Sequence, residues 1–198
     1  MKSLKEYINE GLLDRVKNKE VSHEILIEEF LKDNYKIDGP YAIKTTDKGF
    51  VVDVRGGDIE VKNENITSLT NGLFEFGVVS RKFDCSCCKS LKSLEGAPQK
   101  VGQSFYCIRC ESLKTLEGAP QKVSNDFTCG SCTSLISLKG APKEIDGNFY
   151  CSGCKSLKSL EGAPESCRGF YCNNCGVKFE KEDVKKYTTV ARDIDISV

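Results

Sequence analysis

Ten of the twelve cysteines in this chain of 198 residues form five C-x-x-C pairs: Cys85 and Cys88, Cys107 and Cys110, Cys129 and Cys132, Cys151 and Cys154, Cys172 and Cys175. Neighbouring pairs give the spacing C-x2-C-x18-C-x2-C, one residue shorter at the last step. That is the pattern by which four thiolates gather around zinc, so a zinc-binding cysteine-repeat module is one reading. Three observations favour packing instead. The slot of Cys88 holds Asn63 in an earlier, degenerate unit, and Cys167 stands where Val101, Val123 and Ile145 stand. Five pairs also do not divide evenly into four-thiolate sites. The thiols are therefore expected to act as small buried hydrophobes, with no metal and no cofactor. Cys87 differs: its slot holds Arg109, Ser131, Gly153 and Asn174 in the other units, which predicts a solvent-facing thiol. His23 is the only histidine, and no nucleophile–base constellation, phosphate loop or carboxylate pair accompanies it. The chain is expected not to be an enzyme.

The elements that position these cysteines recur every 22 residues: Phe83, Phe105, Phe127 and Phe149 open units of the form F-x-C-x-x-C-x-S-L-x-S-L-x-G-A-P, and Phe170 opens a shortened fifth. A unit of that length cannot bury its own apolar side, so units must stack and share one core, which is a solenoid. Alternation along the strand sends Phe105 and Cys107 inward and Tyr106 outward. The outer face then carries Asp84, Tyr106, Thr128, Tyr150 and Tyr171, flanked by Ile108, Asn148 and Asn173. Three tyrosines on one open face make this the candidate partner-binding surface; the alternative is that stacked tyrosines only satisfy strand propensity and cross-strand pairing. The Lys and Glu positions at 92, 114, 158, 95, 117 and 161 read as a solvated face.

Before the cysteines, Ser22 caps a predicted helix through Ile25, Ile27, Phe30 and Leu31 to about Asn34. Tyr41 to Thr45 and Phe50 to Val54 around Asp47-Lys48-Gly49 predict a β-hairpin. Asn63 to Leu69 aligns with Cys88 to Leu94, and Ile59 and Val61 fall near the Phe83 and Cys85 slots with a one-residue slip, which makes a degenerate first coil. Thr70 to Lys82 reads as a longer loop. Glu180 to Tyr187 predicts a closing helix, followed by a strand from Ile194 to Val198.

The order V-x-x-x-F-x-C-x-x-C-x-x-L-x-x-L, at Val101, Phe105, Cys107, Cys110, Leu113 and Leu116, resembles the leucine-rich repeat. It departs from that family in using Phe and Cys for the strand leucines and in placing three residues between Val101 and Phe105. In the family an Asn or Cys bonds the turn backbone, which is what the resemblance implies for Asn63 and the Cys88 slot. The Gly-Ala-Pro return segment resembles the short repeats of bacterial and phage proteins. It implies an extended or polyproline-like convex side, with Gly96, Gly118, Gly140 and Gly162 at positive φ.

The first ten residues, Met1-Lys2-Ser3-Leu4-Lys5-Glu6-Tyr7-Ile8-Asn9-Glu10, resemble the capsid-targeting leader of internal head proteins in T-even-like bacteriophages. In that family the prohead protease cuts after Glu in a (Leu/Ile)-x-Glu context. The resemblance implies processing at Ile8 and Glu10, leaving Gly11 as the new terminus. Leu4, Ile8 and Leu12 at i, i+4 spacing also fit an amphipathic helical start.

Lysine plus arginine and aspartate plus glutamate both number 29, so the basic excess of a nucleic-acid binder is missing. No apolar run spans a bilayer and no export signal follows Met1, so neither a membrane nor a secretory route is expected. The expectation is a mainly β, leucine-rich-repeat-like solenoid of 22-residue coils. Residues 1–20 are leader and linker, 21–58 a helix and hairpin cap, 59–179 the solenoid and 180–198 a C-terminal cap. The expected function is a non-enzymatic protein-interaction module of bacteriophage origin, packaged in the virion and delivered to the host cytoplasm, with a host bacterial protein as partner.

Overall fold

The computed structural model describes residues 22–196. The leader positions Ile8, Glu10 and Gly11 lie outside the described residues. The fold is a β-solenoid with a helix at each end. Strands β4 (Ile59–Val61), β6 (Phe83–Asp84), β8 (Phe105–Tyr106), β10 (Phe127–Thr128), β12 (Asn148–Tyr150), β13 (Ser166–Tyr171) and β14 (Thr189–Asp195) pair in parallel as successive rungs of one sheet. A second parallel arm is built from β3 (Gly49–Val54), β5 (Glu75–Val79), β7 (Lys100–Val101), β9 (Lys122–Val123) and β11 (Glu144–Ile145). Strand β13 belongs to both arms, because its first residues pair with β11 and its last with β12.

The registers hold the repeats in phase: Phe83 lies opposite Phe105, Phe105 opposite Phe127, Phe127 opposite Phe149 and Phe149 opposite Phe170. In-phase stacking puts like side chains on like. The phenylalanine rings form a column with centroids 5.2 to 5.7 Å apart, close to the strand spacing of a sheet. All five rings are fully buried, as are the leucines at 91, 94, 113, 116, 135, 138 and 157 that line the third wall.

That third wall has no strands; paired turns build it. Leu94, Glu95, Gly96 and Ala97 close a turn in which the Ala97 N–H donates to the Leu94 carbonyl at 2.9 Å and Gly96 has φ 85. Positive φ at the third position is the mark of a type II turn, for which glycine is preferred. Gly118 and Gly140 repeat it with φ 91 and 87. Glycine is also required by proximity, since a Cβ on Gly118 would sit 2.3 Å from the Glu95 nitrogen of the preceding coil.

At the N-terminal end, α1 (His23–Asn34) is capped by Ser22, whose side chain accepts from the Ile25 N–H at 3.4 Å. It lays Leu26, Ile27, Phe30 and Leu31 over the first coil. Ile25, expected on the buried face, is 45% exposed, and Leu26 takes that place. The ring of Phe30 meets Phe74 edge-on at 6.0 Å, continuing the aromatic column through Phe76 to Phe83. Strands β1 (Tyr35–Ile37) and β2 (Tyr41–Thr46) pair antiparallel with β4 and β3, so the predicted hairpin β2–β3 starts the second arm.

Four further expectations are corrected. Thr70 to Lys82 is not merely a loop, for it contains β5. The Gly-Ala-Pro return leads into the short strands of the second arm rather than a purely extended convex side, because the coil-to-coil pairing offers its N–H and C=O groups partners. The closing helix α2 (Lys181–Lys185) is shorter than expected, and the final strand runs from Thr189, earlier than expected, to Asp195, while residues 197–198 of the expected strand lie outside the described residues. Ile59 lies opposite Phe83 as the alignment of the coils predicts. Among the described residues no helix is long and apolar enough to cross a membrane.

Candidate functional site

The outer face of the first sheet is a set of three columns. Asp84, Tyr106, Thr128, Tyr150, Tyr171 and Asp195 stack in register as the central one. Asn148 stands beside it on one side, and Ile108 and Asn173 on the other. All eight sequence-predicted positions, Asp84, Tyr106, Ile108, Thr128, Asn148, Tyr150, Tyr171 and Asn173, are half-buried, because each side chain is flanked by its counterparts one rung away.

The tyrosines do not form one even strip. Tyr150 and Tyr171 stack with ring centroids 4.7 Å apart and planes 17° apart, while Tyr106 stands two rungs from Tyr150 with Thr128 between them. The amide of Asn148 donates to the Tyr150 hydroxyl at 2.9 Å. Tyr171 lies over Gly169, where a Cβ would come 2.8 Å from its ring. The pair is thus held flat and pre-oriented. Dehydration and the nearby charges of Asp193, Asp195 and Asp126, with Tyr150, raise the Tyr171 pKa.

Polar side chains on this face continue the backbone ladder between coils. Ser86 Oγ accepts from the Ile108 N–H at 3.2 Å, Asp126 Oδ1 from the Asn148 N–H at 2.8 Å, and Ser152 Oγ from the Asn173 N–H at 3.0 Å. Asn173 donates through its amide nitrogen to Asp195 at 3.1 Å. Its Oδ1 is buried and has no hydrogen-bond partner among the described residues. The Lys and Glu wall is solvated and cross-linked by exposed ion pairs such as Lys139 with Glu117 at 2.9 Å. Ile136, standing in the same column as Lys114 and Lys158, is 48% exposed.

The cysteines form two inward columns. Cys85, Cys107, Cys129, Cys151 and Cys172 make one; Cys88, Cys110, Cys132, Cys154 and Cys175 make the other. Their thiols address backbone oxygens: Cys110 donates to the Cys85 carbonyl at 3.1 Å, Cys132 to Cys107 at 3.1 Å and Cys154 to Cys129 at 3.3 Å. Burial pushes the thiols of Cys107, Cys129 and Cys151 up, and that of Cys167 up to about 12. Among the described residues no three Cys, His, Asp or Glu side chains are grouped to hold a metal ion. In the first coil Asn63 accepts from the Asn65 N–H through its Oδ1 at 3.2 Å, bonding the turn backbone, and donates through Nδ2 to Asn34 at 2.7 Å.

Cys87 is half-buried rather than open, and its slot has a backbone role beyond the solvent-facing one that its residue types predict. Cys87, Arg109, Ser131, Gly153 and Asn174 all have positive φ, between 55 and 77. A left-handed residue here turns the chain from the strand into the third wall. The Cys87 N–H then donates to the Ile108 carbonyl of the next coil at 2.7 Å. Gly153 and Asn174, the residue types that tolerate this conformation, were the available signal.

No protein-family model, curated protein or solved structure matches the chain.

Proposed function

We propose that the chain is a non-enzymatic protein-interaction module of bacteriophage origin, with leucine-rich-repeat-like coils, that is packaged in the head and binds a host bacterial protein after delivery. The observation that carries the binding assignment is the Tyr150–Tyr171 stack, an ordered aromatic pair on the outer strand face. Aromatic anchors of this kind contribute about 2 kcal/mol or more each at interface hot spots. The leader resemblance supports packaging.

The test uses protein starting at Gly11 as bait in bacterial lysate. Replacing Tyr150 and Tyr171 by Ser is expected to leave the melting transition intact and to weaken capture. Unchanged capture by the double variant, together with loss of capture on replacing Lys114 and Lys158, would move the binding surface to the lysine-bearing wall. Packaging is tested separately: virion-derived protein is expected to begin at Gly11, and an intact Met1 in virions would remove the processing assignment.

A further inference from the structure

The last C-x-x-C pair is unlike the four before it. Cys88, Cys110, Cys132 and Cys154 are sealed at 0% exposure, whereas Cys175, in the same slot, is half-buried. The chain leaves the repeat immediately after it: Gly176, Val177 and Lys178 are exposed and lead towards α2 rather than into another turn of the third wall. The Cys175 thiol reaches the Cys151 carbonyl at 3.4 Å, against 3.1, 3.1 and 3.3 Å for the equivalent bonds of Cys110, Cys132 and Cys154. Its sulfur also touches that of Cys172, 2.7 Å away. The two cysteines flank Asn173 and Asn174, and Asn174, at φ 55, makes the same left-handed turn as its counterparts in the other coils.

We propose that Cys172 and Cys175 are a redox-active dithiol in the last coil of the solenoid, which low-molecular-weight disulfides convert to an intrachain disulfide. The half-buried Cys175 is the attacking group and Cys172, 3% exposed, resolves. Cys175 loses its proton to solvent, and its thiolate attacks one sulfur of glutathione disulfide, expelling one glutathione thiolate. Cys172 then gives up its proton and attacks Cys175 Sγ in the mixed disulfide, expelling the second glutathione thiolate. The two released protons protonate the two leaving thiolates. The protein loses two electrons and two protons, and one glutathione disulfide becomes two glutathiones. Thiol exchange needs the thiolate and access to it. Hydrogen bonds from the Cys151 and Cys172 thiols lower the Cys175 pKa. Cys132 is lowered in the same way by Cys107 and Cys110, yet it is sealed, so access sets the last pair apart.

The test is a time course on the native, fully reduced chain with glutathione disulfide, quenched in acid, alkylated and mapped by peptide mass spectrometry. The expected result is a loss of two hydrogens in the peptide bearing Cys172 and Cys175, at least about tenfold faster than in any inner pair. Cys175→Ser is expected to abolish it without adding glutathione to Cys172. Equal oxidation of all five pairs, a last pair that stays reduced, or a Cys175–glutathione adduct that never resolves would each overturn the proposal. The wild-type time course decides between these outcomes even if the variant does not fold.

Discussion

The thiol of Cys110 donates to the carbonyl of Cys85, one coil back, at 3.1 Å. The bond ties the second cysteine column of one coil to the first column of its neighbour, so a side chain chosen for its small volume also satisfies a carbonyl.

Cys110→Ala removes the donor and leaves that carbonyl buried without it. The expected loss is about 1–3 kcal/mol, combining an unmet acceptor with a small cavity, read from the midpoint of urea unfolding. A loss below about 0.5 kcal/mol would reduce the thiol to filler.

If the thiols bond carbonyls rather than a metal, protein purified under reducing conditions is expected to contain no stoichiometric zinc, and a chelator should leave its melting curve in place. A structural zinc site contributes folding energy directly. Stoichiometric zinc by elemental analysis, with unfolding on chelation, would reverse the assignment in favour of a zinc module.

Asp53 supports the second arm: its Oδ1 accepts from the Val78 N–H at 2.8 Å and its other oxygen contacts Lys44. Burial acts to raise its pKa, but the bonds from Lys44 and Val78 outweigh this and hold it below the ordinary value. A depressed carboxylate contributes stability that is present above its unfolded pKa and lost as pH falls through the folded one. Asp53→Asn is therefore expected to lower stability at pH 7 and to flatten its decline in acid. Urea titrations at neutral and acidic pH check this, and parallel curves for the two proteins would contradict it.

Gly118 and Gly56 both have positive φ, 91 and 73, but a Cβ at Gly56 meets nothing within 4 Å. Alanine at either position bears the left-handed cost of about 1–2 kcal/mol. Gly118→Ala must also force apart two nested turns, so its melting temperature should fall well below that of Gly56→Ala. Equal shifts would mean that the coils relax freely around the added methyl.

Much of this architecture was legible in the chain. The period, the inward Phe and Cys columns, the outward tyrosines and the glycine turns follow from a 22-residue repeat combined with the two-residue alternation of a strand, both properties of consecutive residues. Even the degenerate first coil could be aligned, because Asn63 performs in its turn the backbone bonding that the resemblance implied.

What only the tertiary structure decided depends on neighbours one coil away. Strands such as Lys100–Val101 are two residues long, too short to show alternation, and exist because Lys122–Val123 pairs with them. The left-handed slot at Cys87 and Arg109 tolerates unfavourable residue types because their N–H groups find carbonyls on the next coil. The stacking of Tyr150 on Tyr171, apart from Tyr106, follows from Thr128 intervening in the column. The partial exposure of Cys175 follows from the chain leaving the repeat at Gly176. A repeat determines what each coil must present to the next. Which groups are sealed, stacked or left open is set by where the stacking begins and stops.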